Sequence, residues 1–167
     1  MNRWIPFAAA GAIVVLDRIT KIAVERSISM WETIPIIPNV VNLVYTRNRG
    51  AAFGLLANAP EWVRAVVLIG FSVAILIFIV RMLWRGESES ASGASKNDRW
   101  PLALVLGGAV GNLYDRIVAG SVTDFVQVFI GSYEWPSFNV ADSAISVGAV
   151  WLALGLFGKK ERVPQDR

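Results

Sequence analysis

The sequence predicts an all-α membrane protein of four transmembrane helices with an outer-surface segment, forming one integral membrane domain over residues 1–167. Three observations predict it. The composition is 54% hydrophobic and only 17% charged, with a mean hydropathy of +0.50; soluble domains run at about 45–50% apolar and roughly 25% charged. The apolar residues gather in four blocks of about 20 residues, the length that carries a helix across a ~30 Å hydrocarbon layer. Lys and Arg are concentrated in alternate connections, the asymmetry that sets orientation in a membrane.

The first helix is expected over about residues 4–24, uncharged from Trp4 to Leu16 and continuing through Asp17, Arg18 and Lys21. A cleaved signal peptide is the rival reading there, since Arg3 precedes an apolar run with Ala8, Ala9 and Ala10. Those alanines lie mid-run, and Asp17 and Arg18 follow them rather than a cleavage-like boundary. The segment of about 25–61 comes next. Its residues 34–46 mix β-branched and apolar side chains with Pro35, Pro38, Asn39 and Asn42, which suggests short extended pieces, a hairpin on the outer surface. The second helix is expected over about 62–84, uncharged from Ala65 to Val80. A low-complexity linker from Gly86 to Ser95 leads to the third, about 100–120, uncharged from Trp100 to Tyr114. The fourth, about 138–158, carries one charge, Asp142. Trp62, Trp84, Trp100 and Trp135 flank the blocks as an aromatic belt would.

Arg81, Arg85, Lys96 and Arg99 lie between helices two and three. Lys159, Lys160, Arg162 and Arg167 lie in the tail, and Arg3 at the start. Residues 121–137 hold no Lys or Arg. Both termini are therefore expected on the cytoplasmic side and the other two connections outside.

With no Cys and no His, disulfides, thiol nucleophiles, a Ser-His-Asp triad and imidazole metal ligation are excluded. Chemistry must run on carboxylates, Lys, Arg, hydroxyls, amides or backbone. No acidic cluster has metal-ligand spacing, no Gly-rich phosphate loop is present, and neither a cofactor, a metal nor a nucleic-acid partner is expected.

Ionisable residues inside spans are costly and are functional candidates by default. At 1.5 Å per residue, Asp17 lies ~21 Å from Arg3, Asp115 ~22 Å from Trp100 and Asp142 ~25 Å from Lys159. Three helices thus carry carboxylates to the same outer quarter of the bilayer, and Asp124 follows just past the third. Asp17 and Lys21 are spaced i, i+4 and can pair. Asp115 and Arg116 cannot face each other and need partners elsewhere, Asp17 or Asp115 being the partner expected for Arg116. Asp124 and Asp142 have no cation within four residues. They are either two close carboxylates sharing a proton, a pair that activates water without His, Cys or metal, or a helix-capping Asp and a solvated loop Asp. Asn112 and Asn139 are either amide positioners or inter-helix hydrogen bonds. The stripe Gly107, Gly108, Ala109 and Gly111 admits either substrate backbone or a neighbouring helix.

At these residues the sequence resembles the lipoprotein signal peptidases, the type II signal peptidases of bacteria. The resemblance runs through five blocks in order: Asp17-Arg18-Ile19-Thr20-Lys21, then Asn48-Arg49-Gly50-Ala51-Ala52-Phe53, then Gly107 to Arg116 (GGAVGNLYDR), then Val122-Thr123-Asp124-Phe125, then Phe138-Asn139-Val140-Ala141-Asp142. It implies an intramembrane aspartic endopeptidase with a small periplasmic β-cradle and Asp124 and Asp142 as its catalytic dyad. Asn48, Gly50, Asn112, Arg116 and Asn139 would shape the site and bind substrate, while Asp17, Lys21 and Asp115 would support it. The implied substrate is a diacylglyceryl-modified prolipoprotein, cut before its lipidated cysteine. The implied setting is the bacterial cytoplasmic (inner) membrane, with the site near the outer leaflet, membrane lipid as partner and the chain a monomer. Arg18 departs from the family's usual Gln and adds a charge near Asp17 with no evident partner. Phe53, Leu55 and Leu56 are expected either to clamp substrate as a lid or to pack on the surface. Two other classes compete on the residues alone. A proton- or cation-coupled transporter would use the same acids and show ion flux, and a membrane scaffold would lose assembly rather than catalysis on Asp-to-Asn changes.

Overall fold

The computed structural model describes residues 3–30, 32–50, 59–85 and 98–159. The Gly86–Ser95 linker, the lid candidates Phe53, Leu55 and Leu56, and Lys160, Arg162 and Arg167 lie outside the described residues. The elements run α1 (Ile5–Ser27), β1 (Thr33–Ile37), β2 (Val41–Asn48), α2 (Glu61–Arg85), α3 (Arg99–Ala119), β3 (Val122–Ile130), β4 (Tyr133–Phe138) and α4 (Val140–Lys159).

Local chemistry sets the ends of these helices. Pro6 sits in the first turn of α1, where its missing N–H costs nothing. The left-handed Gly120, at φ 65°, closes α3 with its N–H on the Arg116 carbonyl. Among the described residues, α2 and α3 are long and apolar enough to cross a membrane, with mean hydropathies of 2.8 and 1.3 over their most apolar windows. They differ in surroundings. Only 6% of the α2 window is buried against 44% for α3, so α2 presents Val66, Phe71 and Phe78 outward. Such an apolar surface is a liability in water and suited to lipid.

Helix α3 is the hub, packed against α1, α2 and α4. Ala10, Ile79, Leu83, Leu102 and Leu106 form the core between helices α1, α2 and α3. The glycine stripe lets the neighbours in. A Cβ on Gly107 would stand 2.7 Å from the Ala10 carbonyl oxygen, and one on Gly111 would stand 2.7 Å from Asp17 Oδ2. A Cβ on Gly108 would collide with the Ala141 carbonyl oxygen. Of the two readings the stripe admitted, close approach of α1 and α4 accounts for it.

The four strands form one antiparallel sheet in the order β1-β2-β3-β4. Its first hairpin matches the extended pieces expected over 34–46, turning at Asn39 with φ 61°. Its second hairpin, turning at Gly131 with φ 63°, comes from residues that the hydropathy pattern marks only as an outer connection. Val24, Ile28, Tyr45 and Phe125 form a second core between α1 and the sheet. The β2–β3 register sets Asn48 opposite Val122 and Thr46 opposite Asp124, bringing both motif residues to the same end of the sheet.

Candidate active site

The site is built where β3, the end of β4 and the first turn of α4 converge on the end of α3. Phe138 ends β4 and Asn139 caps α4, which therefore starts two residues later than the apolar run. The Asn139 Oδ1 accepts from the Asp142 N–H at 2.8 Å, and Asp142 Oδ2 accepts from the Asn139 N–H at 3.3 Å. That reciprocal pair is a capping box. Asp142 thus holds the helix-terminal role that was one of its two readings, but one carboxylate oxygen remains for other work. Asp142 Oδ1 accepts from Asn112 Nδ2 at 2.7 Å.

Asn139 also reaches the other acid. Its Nδ2 donates to Asp124 Oδ1 at 2.8 Å and is within 3.2 Å of the Thr123 carbonyl and 3.4 Å of Asn112 Oδ1. One side chain, 1% exposed, therefore fixes Asp142 through its oxygen and Asp124 through its nitrogen. Asp124 Oδ2 accepts from Asn48 Nδ2 at 3.2 Å, and the Asn48 amide is oriented by the Gly50 N–H on its oxygen at 3.0 Å. Asp124 is 3% exposed. Burial first, and then the negative charge of Asp142, push its pKa up to about 7 against the pull of the Asn48 and Asn139 hydrogen bonds. Near neutral pH this carboxyl therefore exchanges a proton readily.

The supporting acids form a separate buried cluster. Lys21, 0% exposed, donates to Asp17 Oδ2 at 2.8 Å and Asn112 Oδ1 at 3.2 Å and stands 2.6 Å from Asp115 Oδ2. The i, i+4 pair expected in α1 is present and is extended by Asp115. Through Asn112 the cluster reaches Asp142, because Lys21 on the amide oxygen turns the amide nitrogen toward that carboxylate. Asp17 Oδ1 accepts from the Ala141 N–H at 3.0 Å, so α1 supplies a second cap to α4.

Two expectations about charge are corrected. Arg116 pairs with neither Asp17 nor Asp115, because Lys21 occupies both. Its guanidinium donates to the carbonyls of Asn112 at 3.3 Å and Gly50 at 3.4 Å, and the strongest carboxylate fields on it come from Asp142 and then Asp124. Arg18 is not without a partner: it lies 3.4 Å from Asp115 Oδ1 and over the Tyr114 ring. Arg116 thus faces Asp142 and Asp124, while Lys21 and Arg18 balance Asp17 and Asp115.

Asp124, Asp142, Asn48 and Arg116 line the polar end of a cavity of about 560 Å³, and Trp135, Phe138, Ile145 and Val147 line its apolar part. Every site residue singled out in the sequence falls either in this cavity wall or in the hydrogen-bonded shell behind it. Two contributors were missed. Thr123 Oγ1 donates to Glu25 Oε1 at 2.7 Å, tying the strand that carries Asp124 to α1. Glu25 continues the Asp17–Lys21 spacing by four more residues, so the helical stripe held the signal. Among the described residues no group of three or more carboxylates is placed to hold a metal ion.

The chain is similar to known proteins over most of its length. Residues 9–158 match the profile of the family described as signal peptidase (SPase) II. A lipoprotein signal peptidase from Solibacter usitatus (strain Ellin6076) is 40% identical over 160 residues, covering 96% of this chain and 94% of the relative. One from Geobacillus kaustophilus (strain HTA426) is 41% identical over 148 residues, covering 89% and 90%. A bacterial membrane enzyme solved by the in meso method at 2.3 Å superposes with a TM-score of 0.83 at 25% identity, over 97% of this chain and 93% of that one.

Proposed function

This chain belongs to the signal peptidase II family and removes signal peptides from prolipoproteins, and from that premise we propose that it is an aspartic endopeptidase whose dyad is Asp124 and Asp142. The observation that carries the reading is that two acids from different elements, Asp124 buried and Asp142 half-buried, are joined through Asn139 and line one cavity. Asp142, on the first turn of α4 where the helix dipole favours negative charge, takes a proton from water. The resulting hydroxide attacks the carbonyl before the substrate cysteine. Asp124, half protonated near neutral pH, donates to the developing oxyanion. Collapse of the tetrahedral intermediate breaks the C–N bond as the proton held by Asp142 passes to the leaving nitrogen and one hydroxyl proton of the intermediate returns to Asp124. Arg116, Asn48, Gly50, Asn112 and Asn139 bind and orient, and Lys21, Asp17 and Asp115 hold Asn112 and the start of α4 in place.

The apolar wall of the cavity suits a cysteine bearing diacylglycerol, with its acyl chains still in the bilayer. All four helices are read as spans, with both termini cytoplasmic, the sheet on the periplasmic side, and the chain acting as one monomeric domain. Transport gains no support from the geometry, since Asp17 and Asp115 are sealed against Lys21. The test is cleavage of a synthetic prolipoprotein peptide with and without diacylglycerol on its cysteine. Asp124→Asn and Asp142→Asn each lower the rate at least ~10³-fold with helicity unchanged. Near-wild-type cleavage by either variant removes the dyad, and equal cleavage of both peptides removes the lipid specificity.

A further inference from the structure

We propose that Glu25 is a positioning residue for the cleavage reaction: from α1, through the hydroxyl of Thr123, it holds the strand carrying Asp124 where one N–H of Asn139 reaches the Asp124 carboxylate. The inference rests on the dyad reading given above. Glu25 is half-buried and lies four residues beyond Lys21 on the same face of α1. Its Oε1 accepts from Thr123 Oγ1 at 2.7 Å, and Thr123 is buried. The Arg47 guanidinium, opposite Thr123 in the register, donates through Nε to Tyr45 Oη at 3.1 Å and also feels the Glu25 charge. Glu25 thus keeps a cation nearby while its oxygen accepts from Thr123.

Backbone pairing alone leaves this stretch of β3 loosely held. On one side the β2–β3 register slips between Leu43 and Thr46, across from Val126 and Asp124, and on the other side pairing with β4 stops at Val126. Asn139 takes over that second edge. Its Nδ2 reaches Asp124 Oδ1 at 2.8 Å, the Thr123 carbonyl at 3.2 Å and Asn112 Oδ1 at 3.4 Å. An amide nitrogen has two hydrogens, so the Thr123 carbonyl and the Asn112 oxygen compete for the one that Asp124 leaves. Glu25, pulling on the Thr123 hydroxyl, keeps that carbonyl in place. Once it is released, Asn139 turns toward Asn112, and Asp124 loses a hydrogen bond that favours its ionised form. One face of α1 therefore reaches every element of the site, with Lys21 on Asn112 of α3, Asp17 on the Ala141 N–H of α4 and Glu25 on β3.

The experiment measures kcat, KM and the pH profile of the full chain on a diacylglyceryl-cysteine peptide. Thr123→Val and Glu25→Leu each lower kcat about tenfold with KM unchanged. In both, the limb that falls as Asp124 loses its proton moves to higher pH by roughly half a unit. Asp142 on α4, Arg116 on α3 and Lys21 on α1 are the charges facing Asp124, and neither substitution removes one of them. Loss of the Glu25 charge by itself would move the limb the other way. Thr123→Ser and Glu25→Gln, which keep the donor and the acceptor, recover most of the rate, and the double apolar variant loses no more than either single one. Wild-type kcat and limb in both apolar variants, losses that multiply in the double variant, or a rate loss that tracks falling helicity with the limb in place overturns the proposal. Asp124→Asn is run alongside. If it is inactive while Thr123→Val is unaffected, the role of Glu25 alone falls; if it still cleaves, the dyad falls and this proposal with it.

Discussion

Replacing Asn48 by Ala tests which acid of the dyad donates. Asn48 Nδ2 donates to Asp124 Oδ2 at 3.2 Å, and this bond holds the Asp124 pKa down against burial and the Asp142 charge. A hydrogen bond to a charged group contributes about 1.5–3 kcal/mol, and the length of this one puts it at the lower end. Since 1.36 kcal/mol corresponds to one pKa unit, losing it raises the Asp124 pKa from about 7 by roughly one pH unit. The sign separates the roles. If protonated Asp124 is the donor, activity falls as pH rises through about 7, and the variant shifts that descending limb upward. If ionised Asp124 were the base, an ascending limb would shift upward instead. The assay is the pH dependence of kcat on a diacylglyceryl-cysteine peptide. The limb position is read rather than its height, because the variant also frees the Gly50 N–H. A descending limb that stays in place or moves to lower pH refutes the assignment.

Two further outcomes follow from the buried shell. Lys21→Met leaves the carboxylates of Asp17 and Asp115 buried beside each other without their shared cation, a loss of about 3–5 kcal/mol; the thermal midpoint drops, and adding Asp17→Asn and Asp115→Asn recovers part of it. An unchanged midpoint contradicts the ion cluster. Gly108→Ala puts a methyl against the backbone oxygen of Ala141, which cannot yield without moving α4, so stability falls by about 1–3 kcal/mol and cleavage falls with it. Gly70, whose added Cβ meets nothing within 4 Å, tolerates Ala without loss, and equal melts for the two variants would show that the α3–α4 approach is not tight.

The four helices were legible in the residues because apolar run length and charge-free composition are local properties, and their observed ends differ from the expected ones by no more than three residues. The i, i+4 spacing of Asp17 and Lys21 likewise foretold a pair on one helix face. The second hairpin was harder to read. β3 is continuously buried from Val122 to Phe125, with Asp124 facing the cavity and Thr123 facing α1, so both of its faces carry a polar residue and the alternation that marks a strand is blurred.

What the sequence determined by itself is which segments are apolar helices and which few residue types are left to do chemistry. With neither His nor Cys in the chain, that chemistry was left to carboxylates, Lys, Arg, hydroxyls, amides or backbone. What only the tertiary structure decided is who meets whom: that Lys21 takes both Asp17 and Asp115, that Arg116 is left facing Asp142 and Asp124, and that Asn139 joins Asp124 to Asp142. Spacing along one helix cannot reveal these, because partners across helices depend on how each helix is rotated and how closely it approaches. Here that approach is set by glycines at Gly107, Gly108 and Gly111.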